Sequence, residues 1–387
     1  MAEKSLFLAS FSGEIGTKRP ATQADLKALV QENLKRRARA LGFKLKLADF
    51  RGRLKIANKE PSSDQALERL LLTHPGLGKL AYFYQVDEKF SPVDLLPDRP
   101  FTFELYVTKW QDQGTKAKAL EIKRDLLARL KEEAQRRLSG WDNHPVPHLS
   151  LELEAYEEGV FLLKNLAQPG ARGLPVGSGG RGLVLFSGGP DSLLAVWLLL
   201  KRGLSLTLLF FSDGDPQRET LVQEAATNLA YFFPEGEVTL LTLAYRPFLE
   251  ELKNAVPERE RCLFCKALML RLAERVLEKE GAEVLATGDV LGEQASQTLA
   301  ALNFISQGRP VLRPVLAFAK EEIFETLYTL GLKEVATRAL PACPFAPKRP
   351  RTAPRKGPFK TEKILRKLGR KPLNLRRMTL KAKGAKP

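Results

Sequence analysis

The chain has only three cysteines and three histidines in 387 residues. A disulfide-stapled scaffold is excluded, and a reducing compartment, the cytoplasm, is expected. No run of about 18 apolar residues occurs, so no transmembrane helix is expected. The opening residues, Met1 to Ser10, lack a long apolar core and read as a strand rather than a signal peptide. No Gly-x4-Gly-Lys-Ser/Thr phosphate loop is present. Acid is almost missing from the last forty positions: from Lys348 to Pro387 there are sixteen Lys/Arg and one acid, Glu362. That stretch supplies +15 of the net +17, so the remainder is nearly neutral. A basic tail points to a polyanionic partner, although a merely solvated tail has the same composition. Leu365, Leu368, Leu373 and Leu375 interrupt the charges, so part of the tail is expected to fold on that partner.

What is present suits two or three domains with ordinary cores, since 44% of residues are hydrophobic. Residues 5–12 read as a strand and 13–18 as a turn. A helix is expected over 22–41, with Leu26, Leu29, Val30 and Leu34 at helical spacing. Strands at 44–50 and 53–57, a helix at 62–72 and a strand at 79–85 complete a β-α-β-β-α-β order of ferredoxin-like type. After a proline-rich connection come a strand at 101–108, a long helix at 116–138, and a hairpin of 150–155 with 159–163. The Gly/Pro-rich stretch from Gly170 to Gly180 reads as a linker. Beyond it, strands at 206–212, 237–242 and 283–287 alternate with helices at 219–232, 262–280 and 295–303. Near-continuous apolar strands in such alternation mean a parallel, doubly wound sheet. The fold class is therefore mixed, α+β followed by α/β.

One stretch of that second half carries chemistry. Four apolar residues, Leu183 to Phe186, run into Ser187-Gly188-Gly189-Pro190-Asp191-Ser192, and a long apolar helix follows. A glycine turn between buried strand and helix places free N–H groups and the positive end of a helix dipole at one point, where phosphate binds. Ser187 and Ser192 add hydroxyls, and Asp191 can hold Mg²⁺. An ordinary βα turn explains the glycines but not all five fixed positions. The pattern resembles the PP-loop of ATP pyrophosphatases, which split ATP between the α and β phosphates. Pro190 removes one N–H from the cradle. In such sheets ligands bind beyond the carboxyl ends of the strands, where Ser187–Ser192, Ser212 and Gly288 all fall.

The cysteines are Cys262, Cys265 and Cys343. Cys262-Leu-Phe-Cys265 opens a helix, and Cys343 lies in the proline-rich Pro341-Ala-Cys-Pro-Phe-Ala-Pro347. A zinc site needs a fourth ligand, and His74, His144 and His148 are all far away in the N-terminal region. Three thiolates can hold three corners of a 4Fe-4S cluster and leave one iron open. From the residues alone, a cluster, a dithiol redox pair and unreactive thiols all remain open.

Taken together, the chain resembles the tRNA 4-thiouridine synthetases, the ThiI family, over nearly residues 1–355. The resemblance rests on Gly173-Leu-Pro-Val-Gly177, Thr287-Gly-Asp-Val-Leu-Gly-Glu-Gln-Ala-Ser-Gln-Thr298, Leu312-Arg-Pro-Val-Leu316 with Lys320-Glu-Glu-Ile323, and Pro341-Ala-Cys343 with Pro347-Lys-Arg-Pro-Arg-Thr352. It implies a ferredoxin-like domain (1–77), a THUMP RNA-binding domain (78–168), a linker (169–180) and a PP-loop catalytic domain (181–347), with the basic tail (348–387) outside them. It implies a cytoplasmic enzyme that thiolates uridine 8 of tRNA: ATP adenylates the uracil O4, and a sulfur nucleophile then displaces AMP. Members with a C-terminal rhodanese domain carry a persulfide there and some serve thiamine synthesis; this chain has the basic tail instead, so that route is not expected. Members without it can carry three cysteines like Cys262, Cys265 and Cys343 that ligate a 4Fe-4S cluster. The sulfur donor is then inorganic sulfide or a cysteine desulfurase persulfide, and Cys343 is a cluster ligand or a persulfide carrier. Relatives are often dimers, which makes a homodimer a candidate assembly.

The family pattern also assigns roles. Ser187, Gly188, Gly189 and Ser192 hold pyrophosphate, Asp191 orients Mg²⁺, and Lys320 meets the transition-state charge. Leu185, Phe186, Phe210 and Phe211 wall the adenosine, although relatives often have His at the position of Phe211. Arg271, Gly288 and Gln297 complete the ATP pocket. Lys18, Arg19, Lys109, Lys116, Lys118, Lys123 and Arg124 are candidate RNA contacts on the N-terminal domains, suited to phosphate and 2′-OH recognition. The competing readings are a 2-thiouridine-type PP-loop thiolase, a small-molecule ATP pyrophosphatase and a non-catalytic tRNA-binding protein. The first usually brings different cysteine motifs. The second leaves the N-terminal 165 residues without a use. The third is at odds with intact Ser187, Asp191, Ser192 and Lys320.

Overall fold

The structure is a computed structural model that describes residues 6–58, 64–86, 90–97, 100–138, 148–164, 169–354 and 359–383. It divides into two compact units, one of residues up to Lys27 with Phe43–Gly173, the other of Ala28–Gly42 with Leu174–Lys386. Among the described residues no helix is long and apolar enough to cross a membrane.

The first unit contains, in chain order, β1 (Leu6–Phe11), α1 (Gly13–Gly16), the start of α2 (Pro20–Ala40), β2 (Leu45–Phe50), β3 (Arg53–Asn58), α3 (Asp64–Leu72), β4 (Leu77–Val86), β5 (Thr102–Trp110), α4 (Gln113–Leu138), β6 (His148–Tyr156) and β7 (Gly159–Lys164). Its strands form one seven-stranded sheet in the order β2-β3-β1-β4-β7-β6-β5. The β2-β3-β1-β4 portion has the expected ferredoxin-like order. Only β5 and β6 run parallel, and α4 crosses between them. The regions read as two domains from the sequence thus share a continuous sheet, because β4 pairs directly with β7, Tyr82 opposite Lys164 and Val86 opposite Val160. Alternation buries Leu149, Leu151, Leu153 and Leu162 against Leu126 and Leu130 of α4.

The second unit contains β8 (Arg181–Leu185), α5 (Pro190–Lys201), β9 (Ser205–Ser212), α6 (Pro216–Leu229), β10 (Glu237–Ala244), α7 (Arg246–Ala255), α8 (Arg261–Glu280), β11 (Val284–Thr287), α9 (Leu299–Ser306), β12 (Val311–Leu312), α10 (Lys320–Thr329), α11 (Lys333–Ala336), α12 (Phe359–Gly369) and β13 (Leu375–Lys381). The sheet order is β12-β11-β8-β9-β10-β13, parallel except for the last strand. Strand order reverses between β8 and β11, so their carboxyl ends flank a crevice. The Gly-rich stretch before β8 is ordered within this unit: Gly177 and Gly179 both donate to the Gly203 carbonyl, at 2.8 and 2.9 Å. A Cβ on Gly179 would lie 2.9 Å from the Arg202 carbonyl oxygen, so only glycine fits that approach.

The basic C-terminal stretch differs from a tail. Its strand β13 pairs antiparallel with β10 from Glu237–Lys381 to Leu243–Leu375 and covers what would otherwise be a free sheet edge. Leu365 and Leu368 of α12 are buried in the core beside α8. Arg376 and Arg377 meet Glu219 and Glu280, at 2.6 and 2.5 Å, and Lys371 pairs with Glu251. The leucines that interrupt the charges are the physical reason: they give an apolar face that the core buries. Arg355 and its three successors lie outside the described residues.

Candidate active site

The site is built at the ends of β8, β9 and β11, with α5, α8, Lys320 of α10 and the segment carrying Cys343 around them. A cavity of about 320 Å³ opens there. Of the residues expected to hold ATP, Leu185, Phe186, Ser187, Asp191, Ser192, Phe210, Phe211, Gly288 and Gln297 line it, as do Cys265 and Cys343.

The loop after β8 is built around two different glycines. Gly188 has φ +80°, a left-handed conformation, and packs beside Val222. Gly189 has an ordinary φ of −76° and is the N-cap of α5. Conformation therefore requires the first glycine, while the second leaves room over the helix N-terminus. Pro190 occupies the first turn of α5, where its missing N–H has no intrahelical partner to lose. Pro190, which costs the cradle one N–H, is thus a helix starter. Ser192 Oγ donates to the Gly189 carbonyl at 2.8 Å, and Ser187 Oγ lies 3.3 Å from Ser192 Oγ.

Gly288, at the end of β11, closes the other side of the loop. A Cβ there would stand 2.8 Å from Ser192 N and 2.9 Å from the Asp191 carbonyl oxygen. Lys320, first residue of α10, places Nζ 2.9 Å from Asp191 Oδ1 and 2.6 Å from Glu293 Oε1. Burial raises the Asp191 carboxyl above its ordinary range more than Lys320 lowers it, and Glu293 adds to the rise. Burial disfavours the Lys320 ammonium, but the bonds to Asp191 and Glu293 outweigh it and hold the amine charged.

An ionic group centred on Asp289 lines part of the cavity, and its one trace in the sequence is the Thr287-Gly-Asp289 turn. Asp289, 8% exposed, receives Thr287 Oγ1 at 2.7 Å, Lys266 Nζ at 3.1 Å and Arg313 Nε at 3.3 Å. Burial pushes its carboxyl up, but Lys266, the Thr287 hydroxyl and Arg313 more than offset this and hold it below the usual range. Gln297 donates to Asp289 at 3.4 Å, and its Oε1 is buried with no hydrogen-bond partner among the described residues. That oxygen is an acceptor left for a ligand N–H.

Arg271 does not line the cavity. It bonds Gln307 Oε1 at 2.8 Å, and its stem lies against Gly369 of α12. The reason is helical phase: α8 turns Cys265, Lys266, Met269 and Leu270 toward the cavity, which leaves Arg271 for α12.

The cysteines are all free. Cys265 and Cys343 line the cavity, and Cys262 sits one turn before Cys265 on α8. Burial pushes the Cys265 thiol up to about 12, against the Tyr245 hydroxyl, which donates toward its Sγ at 3.6 Å. Burial, then the charge of Cys343, raises Cys262 as well. Among the described residues no three His, Cys, Asp or Glu side chains form a ready metal site. The donor set itself, three soft thiols beside the Lys266 cation, fits an iron–sulfur group in chemistry.

The candidate RNA residues fall in the first unit. Lys18 and Arg19 are exposed between α1 and α2. Lys109 Nζ lies 3.1 Å from the buried Glu154, which it shares with Arg53, so the three side chains keep a net charge of +1. Burial pushes Glu154 up, but Arg53 and Lys109 pull it below the carboxylate range. Lys116 sits 4.3 Å over the Trp110 ring and Lys123 5.9 Å over Tyr106. Lys118 and Arg124 are exposed on α4. Sequence reasoning missed the aromatic half of this face: Tyr106 and Trp110 of β5 are 52% and 41% exposed.

Comparison with known proteins agrees with this architecture. The model of the ThiI family, described as a thiamine biosynthesis protein, matches residues 177–367. A probable tRNA sulfurtransferase of Limosilactobacillus reuteri is 30% identical over 319 residues, covering 79% of this chain and 77% of that one. The chain belongs to the ThiI family of tRNA sulfurtransferases. A tRNA sulfurtransferase of Desulfurococcus amylolyticus is 28% identical over 356 residues, 88% of this chain and 71% of that protein. A 4-thiouridine synthetase solved as an RNA complex with bound ATP shares the fold, with a TM-score of 0.76 at 24% identity, covering 97% of this chain and all of that one.

Proposed function

We propose that this member of the ThiI family converts uridine 8 of tRNA to 4-thiouridine, consuming ATP and releasing AMP and pyrophosphate. The observation that carries the reading is the junction of Ser187–Ser192, Gly288 and Lys320 at one end of a cavity with Cys265 and Cys343 lining it as well. An ATP-activating loop and a sulfur-bearing pair around one space suit a two-step thiolation.

In the first step the uracil O4 attacks the α-phosphorus of ATP, the bond to the bridging oxygen breaks, pyrophosphate leaves, and the N3 proton is lost. The Ser187 and Ser192 hydroxyls and the free N–H groups of α5 bind the departing phosphates. Asp191 would hold Mg²⁺, and Lys320, kept charged, offsets the negative charge that develops. Gln297 Oε1 is an acceptor for the adenine amine, with Phe210 and Phe211 as apolar walls. In the second step sulfide attacks C4 and AMP departs with the former O4. Both steps are redox-neutral when the sulfur enters as sulfide.

Cys262, Cys265 and Cys343 would hold a 4Fe-4S cluster, whose open iron would supply bound sulfide. Burial keeps Cys265 protonated without a metal, so loading must release its proton. The alternative for Cys343 is a persulfide carrier, which its exposure also permits. Tyr106 and Trp110, with Lys116, Lys118, Lys123 and Arg124, are the proposed RNA face.

The test is to treat unmodified tRNA with the enzyme, ATP, Mg²⁺ and sulfide without oxygen, then analyse its nucleosides by mass. Formation of 4-thiouridine at position 8 is expected. Its absence, or 2-thiouridine in its place, would reject the reading.

A further inference from the structure

The segment that carries Cys343 has no regular structure from Arg338 to Pro350. Phe345 packs against the core, Arg259 Nε donates to the Arg349 carbonyl at 3.1 Å, and beside the cysteine itself a side chain from α6 holds the backbone. Arg218 Nη2 donates to the Ala342 carbonyl at 3.0 Å, one residue before the cysteine. Its Nε forms an ion pair with Asp213 Oδ2 at 3.3 Å, without hydrogen-bond alignment, and the two side chains are only 16% and 8% exposed. Asp213 is in turn held at the end of β9, where its Oδ1 accepts from Asp215 N at 3.3 Å. Arg218 and Asp213 both line the cavity. Arg338 of the same segment also pairs with Glu224 of α6, at the surface.

We infer that Arg218, oriented by Asp213, is a positioning residue for sulfur transfer: it clamps the Cys343 segment over the cavity so that the sulfur carried there reaches the activated uracil. The inference rests on the proposed two-step reaction for its catalytic consequence, but its structural part stands alone. A planar guanidinium suits the task, since it serves a carboxylate and a carbonyl at once from a fixed fork. An ammonium has three donors but concentrates them on one atom, without the fixed separation of Nε and Nη2.

The experiment compares the full-length wild type with Arg218→Met and Arg218→Lys. Hydrogen exchange of the peptide spanning Leu340–Pro347, in which Ala346 N–H donates to the Cys343 carbonyl, should quicken at least fivefold in the Met variant and be partly restored in the Lys variant. In the same preparations tRNA-dependent pyrophosphate release should change less than threefold, while 4-thiouridine formation falls at least tenfold. Unchanged exchange would overturn the clamp, whatever the kinetics. Equal loss of both half-reactions would overturn it too, and assign Arg218 to the phosphates. A wild type that releases no pyrophosphate, yet whose Met variant loses protection, would reject the proposed function and keep the clamp.

Discussion

Gly288 packs its α-carbon directly onto the peptide that joins Asp191 to Ser192, so that a Cβ would come within 2.8 Å of Ser192 N. Both walls of the crevice at the strand-order reversal are thereby locked together. Backbone cannot yield as a flexible side chain does. Gly288→Ala should cost about 1–3 kcal/mol from overpacking and displace the phosphate loop. ATP-dependent thiolation should fall at least tenfold, with the loss mainly in kcat. Wild-type rates in the alanine variant would refute the contact's importance.

Lys320 bridges Asp191 and Glu293. Lys320→Ala should suppress pyrophosphate release by roughly two to three orders of magnitude, the range for removing one transition-state charge partner. Binding of ATP, measured by calorimetry, should weaken far less. Equal losses in binding and rate would place Lys320 on the ground state instead.

Asp289 lies below its ordinary range because Lys266, Thr287 and Arg313 outweigh burial. A depressed folded-state value gives stability that is complete above the unfolded value of about 3.9 and is lost as pH falls through the folded one. Asp289→Asn should remove that pH-dependent portion and cost about 3 kcal/mol near neutrality, because two cations lose their partner. Urea unfolding at pH 6 and pH 3 reads both effects. The wild type should lose more stability over that interval than the variant.

The C-terminal helix and strand are expected to act first as structure. Leu365→Ala should destabilise the second unit by about 2–5 kcal/mol, the cost of a core leucine. Deleting residues after Thr352 should expose the β10 edge and promote aggregation. A truncated chain as stable and soluble as the full one would contradict this. If the surplus lysines and arginines also contact RNA, the salt dependence of tRNA binding should become shallower on truncation.

Trp110 is 41% exposed, and Lys116 lies over its ring. Trp110→Ala should weaken tRNA binding by about 1–3 kcal/mol, the range for one base stacked on an aromatic ring, with little change in stability. Affinity equal to wild type would remove it from the RNA face.

The sequence by itself determined a good deal of this. Apolar strand, Ser-Gly-Gly-x-Asp-Ser turn and apolar helix are local features, so the strand–turn–helix unit, its place in a parallel sheet and the ferredoxin-like strand order were all legible. The three cysteines were visible because there are so few. Tertiary structure decided what depends on distance in space. Glu293 joins Lys320, Arg313 joins Asp289, and Arg218 reaches Ala342, each across about 20–130 residues of chain; such pairs leave no periodic trace. Helical phase turned Arg271 away from the cavity toward α12. The basic stretch looked like a tail because its charge is continuous, yet four leucines and one free strand edge were enough to draw it into the fold. Charge patterns are read along the chain, whereas burial is settled by whatever apolar surface the rest of the protein leaves uncovered.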